Sequence, residues 1–346
     1  MAKTVNQAFN EFVNDVLAIP SSKRQNANNS ANALKNQIDS LSEKGLIPKT
    51  CPSQHYLFGS FSRKTKNTPL NDVDLIICFD ACSSLTIEGN GWDNLKLTLT
   101  GSDKRSLDLC DKSYSCGYYS SNSKCELNSN KFKNKLVTAL SNVQYYKKAE
   151  LHARGEAVTL DLSSYDWSFD VVPAFFYFED DKTIYLIPNG KGRWKKTCPE
   201  KERKRIDALD SLYKGTTRKV VRLIKYWNKR GKMPTITSYV METMVLDYFD
   251  TLSVPKDSET LYLDFLFRDV LNYIDRNIYK SINDSKGIEG DINNLVSADR
   301  FKLSLRARND YQKAKNAISA EIDETNTEKS INIWRDIFGE EFPPYE

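Results

Sequence analysis

The sequence predicts an α+β protein: a mixed sheet with flanking helices, followed by a C-terminal α-helical domain. Three observations carry this expectation. Residues 1–44 place apolar side chains at helical intervals. The runs NDVDLIICF (71–79) and WSFDVVPAFFYF (167–178) are apolar, β-branched and bounded by turn residues, as buried strands are. Beyond Pro188 the helical period continues almost to the end, and no internal repeat interrupts it.

In order, Val5, Phe9, Phe12, Val13, Val16 and Leu17 form one helical stripe closed by Pro20, and Ser21-Ser22 caps a second helix over 21–44. A sheet begins near Tyr56 with the strand NDVDLIICF. Residues 81–130, rich in Ser, Asn, Gly and Lys with alternating pieces such as LKLTLT, read as a variable insertion of hairpin and loop. Leu136–Tyr146 predicts a helix, and AVTLDL and WSFDVVPAFFYF predict adjacent strands. Helices are expected over 200–230, 238–250, 259–280 and 296–325. The domain expectation is 1–47, N-terminal helices bracing the two lobes; 48–187, the core with its insertion near 81–130; and 188–346, the α-helical domain.

At 346 residues the chain has room for about two domains. Its net charge of +4 is too small to announce a nucleic-acid binder. The 40% hydrophobic content supports a sizeable core and argues against disorder. The longest apolar runs, Leu75–Phe79 and Val171–Phe178, fall well short of the roughly 20 residues a membrane helix needs. The N-terminus lacks a secretion signal, so a cytoplasmic location without membrane partners is expected. Seven cysteines without close pairing suggest free thiols in a reducing compartment.

Chemistry concentrates at few positions. Asp72 and Asp74 are two apart on a strand and so leave the same face. Two anions heading an apolar strand repel unless a cation compensates, although an isolated D-x-D also describes a solvated strand end. Asp170 lies in an apolar run, where it needs a partner or a backbone hydrogen bond. If the two strands are neighbours, three carboxylates meet, and oxygen-only ligation suits Mg²⁺ or Mn²⁺. Gly59-Ser60, 12 residues before Asp72, is either a simple turn or a backbone cradle for phosphate. Taken in order, a phosphate-holding turn, D-x-D and a later Asp describe a two-metal nucleotidyl-transfer site. In TTRKVVRLIKYWNKR, Val220, Leu223, Ile224 and Trp227 make an apolar stripe, while Arg218, Arg222, Lys225 and Lys229 make a basic one that faces either solvent or a triphosphate. Ser238 and Tyr239 open the next helix, as a phosphate and base site or as a cap and a core residue.

Together GSFSRKT, NDVDLIICF, FDVVPAF, IPNGKGRW, LIKYWNKR and SYVMET resemble the cyclic GMP-AMP synthase and oligoadenylate synthase superfamily. The set is most similar to the bacterial cyclic-oligonucleotide synthases of anti-phage signalling. The likeness covers residues 50–250 in order, and the tail IWRDIFGEEFP shares it. It implies a polymerase-β-like nucleotidyltransferase core with a helical domain. By the resemblance, Asp72 and Asp74 hold two Mg²⁺ or Mn²⁺ ions and Asp170 completes the one that activates the acceptor hydroxyl. Gly59 and Ser60 hold the donor triphosphate, Lys225 and Ser238 help grip it, and Tyr239 stacks on a base. Substrates would be ATP and/or GTP, with purines favoured, and the cyclic di- or trinucleotide product would act on a downstream effector. The modest basic excess leaves activation by RNA open, without a base-reading motif that would establish it, and a protein is the other candidate activator. The zinc thumb of the superfamily's animal DNA sensor, one His with clustered Cys, has no counterpart: Cys78 and Cys82 have no His near them in sequence, so neither a structural zinc nor sensing of double-stranded DNA through that device is expected. Rival readings are a linear 2′-5′ oligoadenylate-type or RNA terminal nucleotidyltransferase, a catalytically silent nucleotide- or RNA-binding module, and a purely structural protein.

Overall fold

The computed structural model describes residues 2–81, 84–100, 108–114, 124–230, 236–256 and 258–346. Its contacts form two units, Met1–Pro20 with Arg63–Pro69 and Glu202–Glu346, and Ser21–Ser62 with Leu70–Lys201. The two predicted N-terminal helices therefore fall in different units.

In the second unit, α2 (Ser21–Glu43) precedes β1 (Tyr56–Phe58), the short α3 (Gly59–Ser62) and β2 (Asp72–Cys78). After an insertion come α4 (Ser129–Ser141), β7 (Glu150–Arg154), β8 (Ala157–Asp161), β9 (Ser168–Glu179), β10 (Lys182–Pro188) and β11 (Trp194–Thr197). The main sheet runs β1-β2-β9-β10-β11, with β8 on the first half of β9 and β7 outside β8. Only β2 and β9 are parallel, so the sheet is mixed as expected. Leu75–Cys78 and Val171–Ala174, both almost wholly excluded from solvent, anchor that pair, and Phe132 of α4 packs edge-on against Phe79, Phe175 and Trp194.

Several expectations shift here. The helix predicted to begin at Leu136 starts at Ser129, because the Asn128 side chain accepts the Asn130 and Lys131 N–H groups and caps it. The insertion is more ordered than hairpin and loop: β3 (Ser84–Glu88), β4 (Lys96–Thr100), β5 (Cys110–Tyr114) and β6 (Lys124–Leu127) form an antiparallel sheet in the order β3-β4-β6-β5. Cys110 and Cys125 are joined there as a disulfide, which corrects the all-thiol reading. Their separation in sequence hid the pairing, since strands β5 and β6 bring the Cα atoms to 5.4 Å. Cys51, Cys78 and Cys198 take no part in that disulfide. Pro188 does not end the strands either, because IPNGKGRW turns the chain into β11.

The first unit holds α1 (Val5–Glu11), a π-helical turn (Phe12–Leu17), α5 (Pro199–Leu212, from Glu202 on), α6 (Thr216–Lys229), α7 (Ser238–Asp250), α8 (Leu263–Asn277), α9 (Ser297–Ile322) and α10 (Thr327–Phe338). The helical stretch expected over 200–230 is two helices, parted where Lys214 and Gly215 take left-handed backbone angles. The core collects rings: Phe9 meets Trp334 at 4.9 Å, Phe342 at 5.1 Å and Phe338 at 5.7 Å between centroids. Among the described residues no helix is long and apolar enough to cross a membrane.

Phe9 is fully buried, so Phe9→Ala should leave a cavity costing ~3–5 kcal/mol, read as a lower urea midpoint with an unchanged slope.

Candidate active site

The parallel register sets Asp72 opposite Ser168 and Asp74 opposite Asp170. Paired residues on neighbouring strands project to one side and side chains alternate, so Asp72, Asp74 and Asp170 share a sheet face. Beside them, Thr159 of β8 lies opposite Asp170 and its hydroxyl donates to Asp170 Oδ1 at 2.6 Å. The three carboxylates are half-buried, at the mouth of strands whose later residues are sealed.

Gly59 completes this corner. Phe58 lies opposite Asp74, and the chain then turns into α3 with Gly59 at φ +70°. A Cβ on Gly59 would sit 1.8 Å from Asp74 Oδ2, so only glycine lets the backbone pass over that carboxylate. Ser60 follows, and the turn is held from α2, where Arg24 Nη1 donates to the Phe61 carbonyl at 2.9 Å and stacks on the Phe61 ring. Among the described residues no group of three His, Cys, Asp or Glu side chains is closed up as a metal site. The set nevertheless fits a hard divalent cation: three carboxylates on one face, oxygen donors only, and a cradle without room for a methyl group.

The other predicted residues lie in the helical unit, where Lys225 and Tyr239 are already engaged. Lys225 does not stand on an open basic stripe. It is 6% exposed, 3.5 Å from Glu242 Oε2, and burial lowers its pKa, with Glu242 opposing the shift. Ser238 is exposed and is not the helix cap: Thr237 is, its side chain accepting the Val240 N–H. The Pro-containing loop before it, 231–235, lies outside the described residues. The Tyr239 hydroxyl donates to Asp284, and Lys286 Nζ sits 4.7 Å from its ring centroid.

Sequence reading missed the group that organises these residues. Arg63, which directly follows α3, is buried, with Nε donating to Glu242 Oε1 and Nη1 to Glu202 Oε2, both at 2.6 Å. Thr65 Oγ1 donates to Glu242 Oε2 at 2.9 Å. Burial alone would raise the Glu242 pKa, but Arg63, Lys225 and Thr65 bring it to about 2. For Glu202 burial prevails over Arg63 and Lys286, and its pKa rises. Buried charges need partners, but the partners here sit on distant segments, so no local spacing gives them away.

The mixed sheet, its carboxylate face and the helical unit define a polymerase-β-like nucleotidyltransferase. Along its whole length the chain is 34% identical, over 357 aligned residues covering 100% of both, to a Bacillus cereus (strain VD146) protein named "Probable cyclic nucleotide synthase". It belongs to that family of cyclic nucleotide synthases. Among solved structures it is similar in fold to Escherichia coli MS115-1 CdnC with ATP, at TM-score 0.66 and 14% identity over 98% of each chain. The same protein in complex with HORMA-deltaN gives TM-score 0.65 and 15% identity, again over 98% of each. Vibrio cholerae DncV, a cyclic AMP-GMP synthase, gives TM-score 0.63 at 9% identity over 99% of this chain and 98% of its own. No protein-family model matches the sequence.

Gly59→Ala should abolish nucleotide transfer, because the new methyl displaces Asp74; a retained rate in a product assay, with the fold checked by circular dichroism, would refute this. Glu242→Gln should lower stability at pH 7 by ~3 kcal/mol. A carboxylate with a depressed folded pKa stabilises above its unfolded value of about 4.5, and that stability is lost as pH falls towards about 2. The gap between wild type and Glu242→Gln in thermal melts should therefore narrow across that window.

Proposed function

We propose that the chain joins NTPs, purine nucleotides among them, into a cyclic di- or trinucleotide with release of pyrophosphate. The supporting observation is the register that sets Asp74 opposite Asp170 with Asp72 on the same face. Two Mg²⁺ or Mn²⁺ ions held there would lower the pKa of an acceptor ribose hydroxyl and neutralise the departing pyrophosphate.

The chain's own residues divide the remaining work. Asp72 and Asp74 serve both ions, and Asp170, oriented by the Thr159 hydroxyl, serves the acceptor side. Gly59 brings backbone N–H groups close to the donor triphosphate and Ser60 adds a hydroxyl. Lys225 is the cation for the triphosphate, exchanging its contact with Glu242 for phosphate oxygen, and Ser238 assists. Tyr239, fixed at its hydroxyl by Asp284, offers its ring to a base. A second transfer, from the other nucleotide, closes the ring. The product acts on an effector in cytoplasmic anti-phage defence. Of the two kinds of activator, a protein is favoured by the CdnC complex with HORMA-deltaN.

Incubation with labelled NTPs and Mg²⁺ or Mn²⁺, then phosphatase and mass spectrometry, should give a phosphatase-resistant cyclic product. Asp72→Ala should lower its rate by at least roughly 10³-fold, since metal-borne charge stabilisation is worth several kcal/mol. A phosphatase-sensitive ladder would instead mark a linear polymerase. No product, with RNA and protein candidates supplied, would mark a binding module.

A further inference from the structure

The catalytic sheet face does not end at the carboxylates. Asp72 lies opposite Ser168, Ser168 opposite Asp161 of β8, and Asp161 opposite Glu150 of β7. These four side chains form one row on the face that carries Asp74 and Asp170. At about 4.8 Å per strand, Asp161 stands about 10 Å from Asp72, roughly the reach of a nucleoside from its ribose hydroxyl to the far edge of its base.

A groove of about 390 Å³ follows this row, lined by Asn71, Ser168, Asp161, Glu150 and Lys148 and walled by Tyr165 and Trp167. The two rings are stacked, 4.6 Å apart and 22° from parallel, with Tyr165 38% exposed and Trp167 only 7%. That presents a flat, backed aromatic surface, on which a base stacks at small entropic cost. Trp167 Nε1 is buried and has no hydrogen-bond partner among the described residues. Asp166, the remaining acid of the wall, is paired with Lys23 at 2.9 Å. Carboxylates outnumber cations along this groove, which disfavours a triphosphate and favours a neutral group rich in donors.

Resting on the nucleotidyltransferase reading above, we propose that this groove is the acceptor subsite and takes a guanine nucleoside. Its base stacks on Tyr165, its N1–H and N2–H donate to Asp161, and its O6 faces Lys148. Guanine alone among the common bases offers two adjacent donors beside an acceptor, whereas adenine has a single donor group there. Tyr165 and Asp161 are thus specificity-determining residues, close before Asp170 in sequence, and Asp161 shares the face of the carboxylates.

Equilibrium dialysis of the full chain against labelled guanosine, with adenosine as reference, tests this without requiring turnover. Guanosine should be retained over adenosine. Asp161→Asn should weaken guanosine roughly tenfold and leave adenosine within about twofold; Tyr165→Ala should weaken both roughly tenfold. Asp72→Ala should lower product formation by at least roughly 10³-fold yet retain guanosine. Asp161 and Tyr165 are exposed, so these variants keep the fold. No guanosine retention by wild type, or retention unchanged in both groove variants, overturns the subsite. If product forms while guanosine ignores Asp161, the subsite fails and the synthase reading stands. If guanosine binds with the stated sensitivities and no product forms under any condition, the nucleoside site stands and the synthase reading fails.

Discussion

The candidate active site of this protein depends on the parallel pairing of β2 with β9. A shift of one residue would turn Asp170 to the opposite face and leave Asp72 and Asp74 without a third carboxylate. Like charges crowded at a strand end oppose the pairing, and the sealed residues behind them favour it. Leu75–Cys78 against Val171–Ala174 buries apolar surface on both strands, so packing fixes the register against the repulsion it creates. The β8 strand adds a second constraint, since its own register with β9 sets Thr159 opposite Asp170, where the hydroxyl donates to the carboxylate.

The helical unit meets the complementary problem of keeping cations dry. Lys225 and Arg63 share Glu242, and Arg63 leans on Glu202 as well, so no buried charge in this group stands alone. Removing one partner would strand the others in a low-dielectric interior, which is why such a group holds its members in fixed places. Arg63 also follows immediately upon the turn that carries Gly59 and Ser60.

What could be read beforehand follows from how locally each feature is encoded. The β2 and β9 strands announce themselves by apolar runs, and α7 spans 238–250 as its period and its preceding loop suggest. The carboxylates were legible because period-two spacing fixes their faces. The fate of Lys225 was not, since a helical wheel shows which stripe a residue joins and nothing of what a second helix brings to it. Likewise Cys110 and Cys125 meet only through strand pairing, and the break at Gly215 depends on a backbone angle that the surrounding periodicity conceals.

The three-piece make-up of the helical unit bears on how the chain reaches its native state. Its first segment, with Phe9 and Phe12, leaves the ribosome before the sheet-bearing unit, yet the rings that bury it, Trp334, Phe338 and Phe342, are made after that unit. The opening helix must wait, its aromatic side uncovered, while nearly the whole sheet-bearing unit is synthesised. Closing so long a loop is slow, and the waiting surface invites self-association. A chaperone that shields the nascent N-terminus would therefore raise the yield of native enzyme more than one acting on the finished chain.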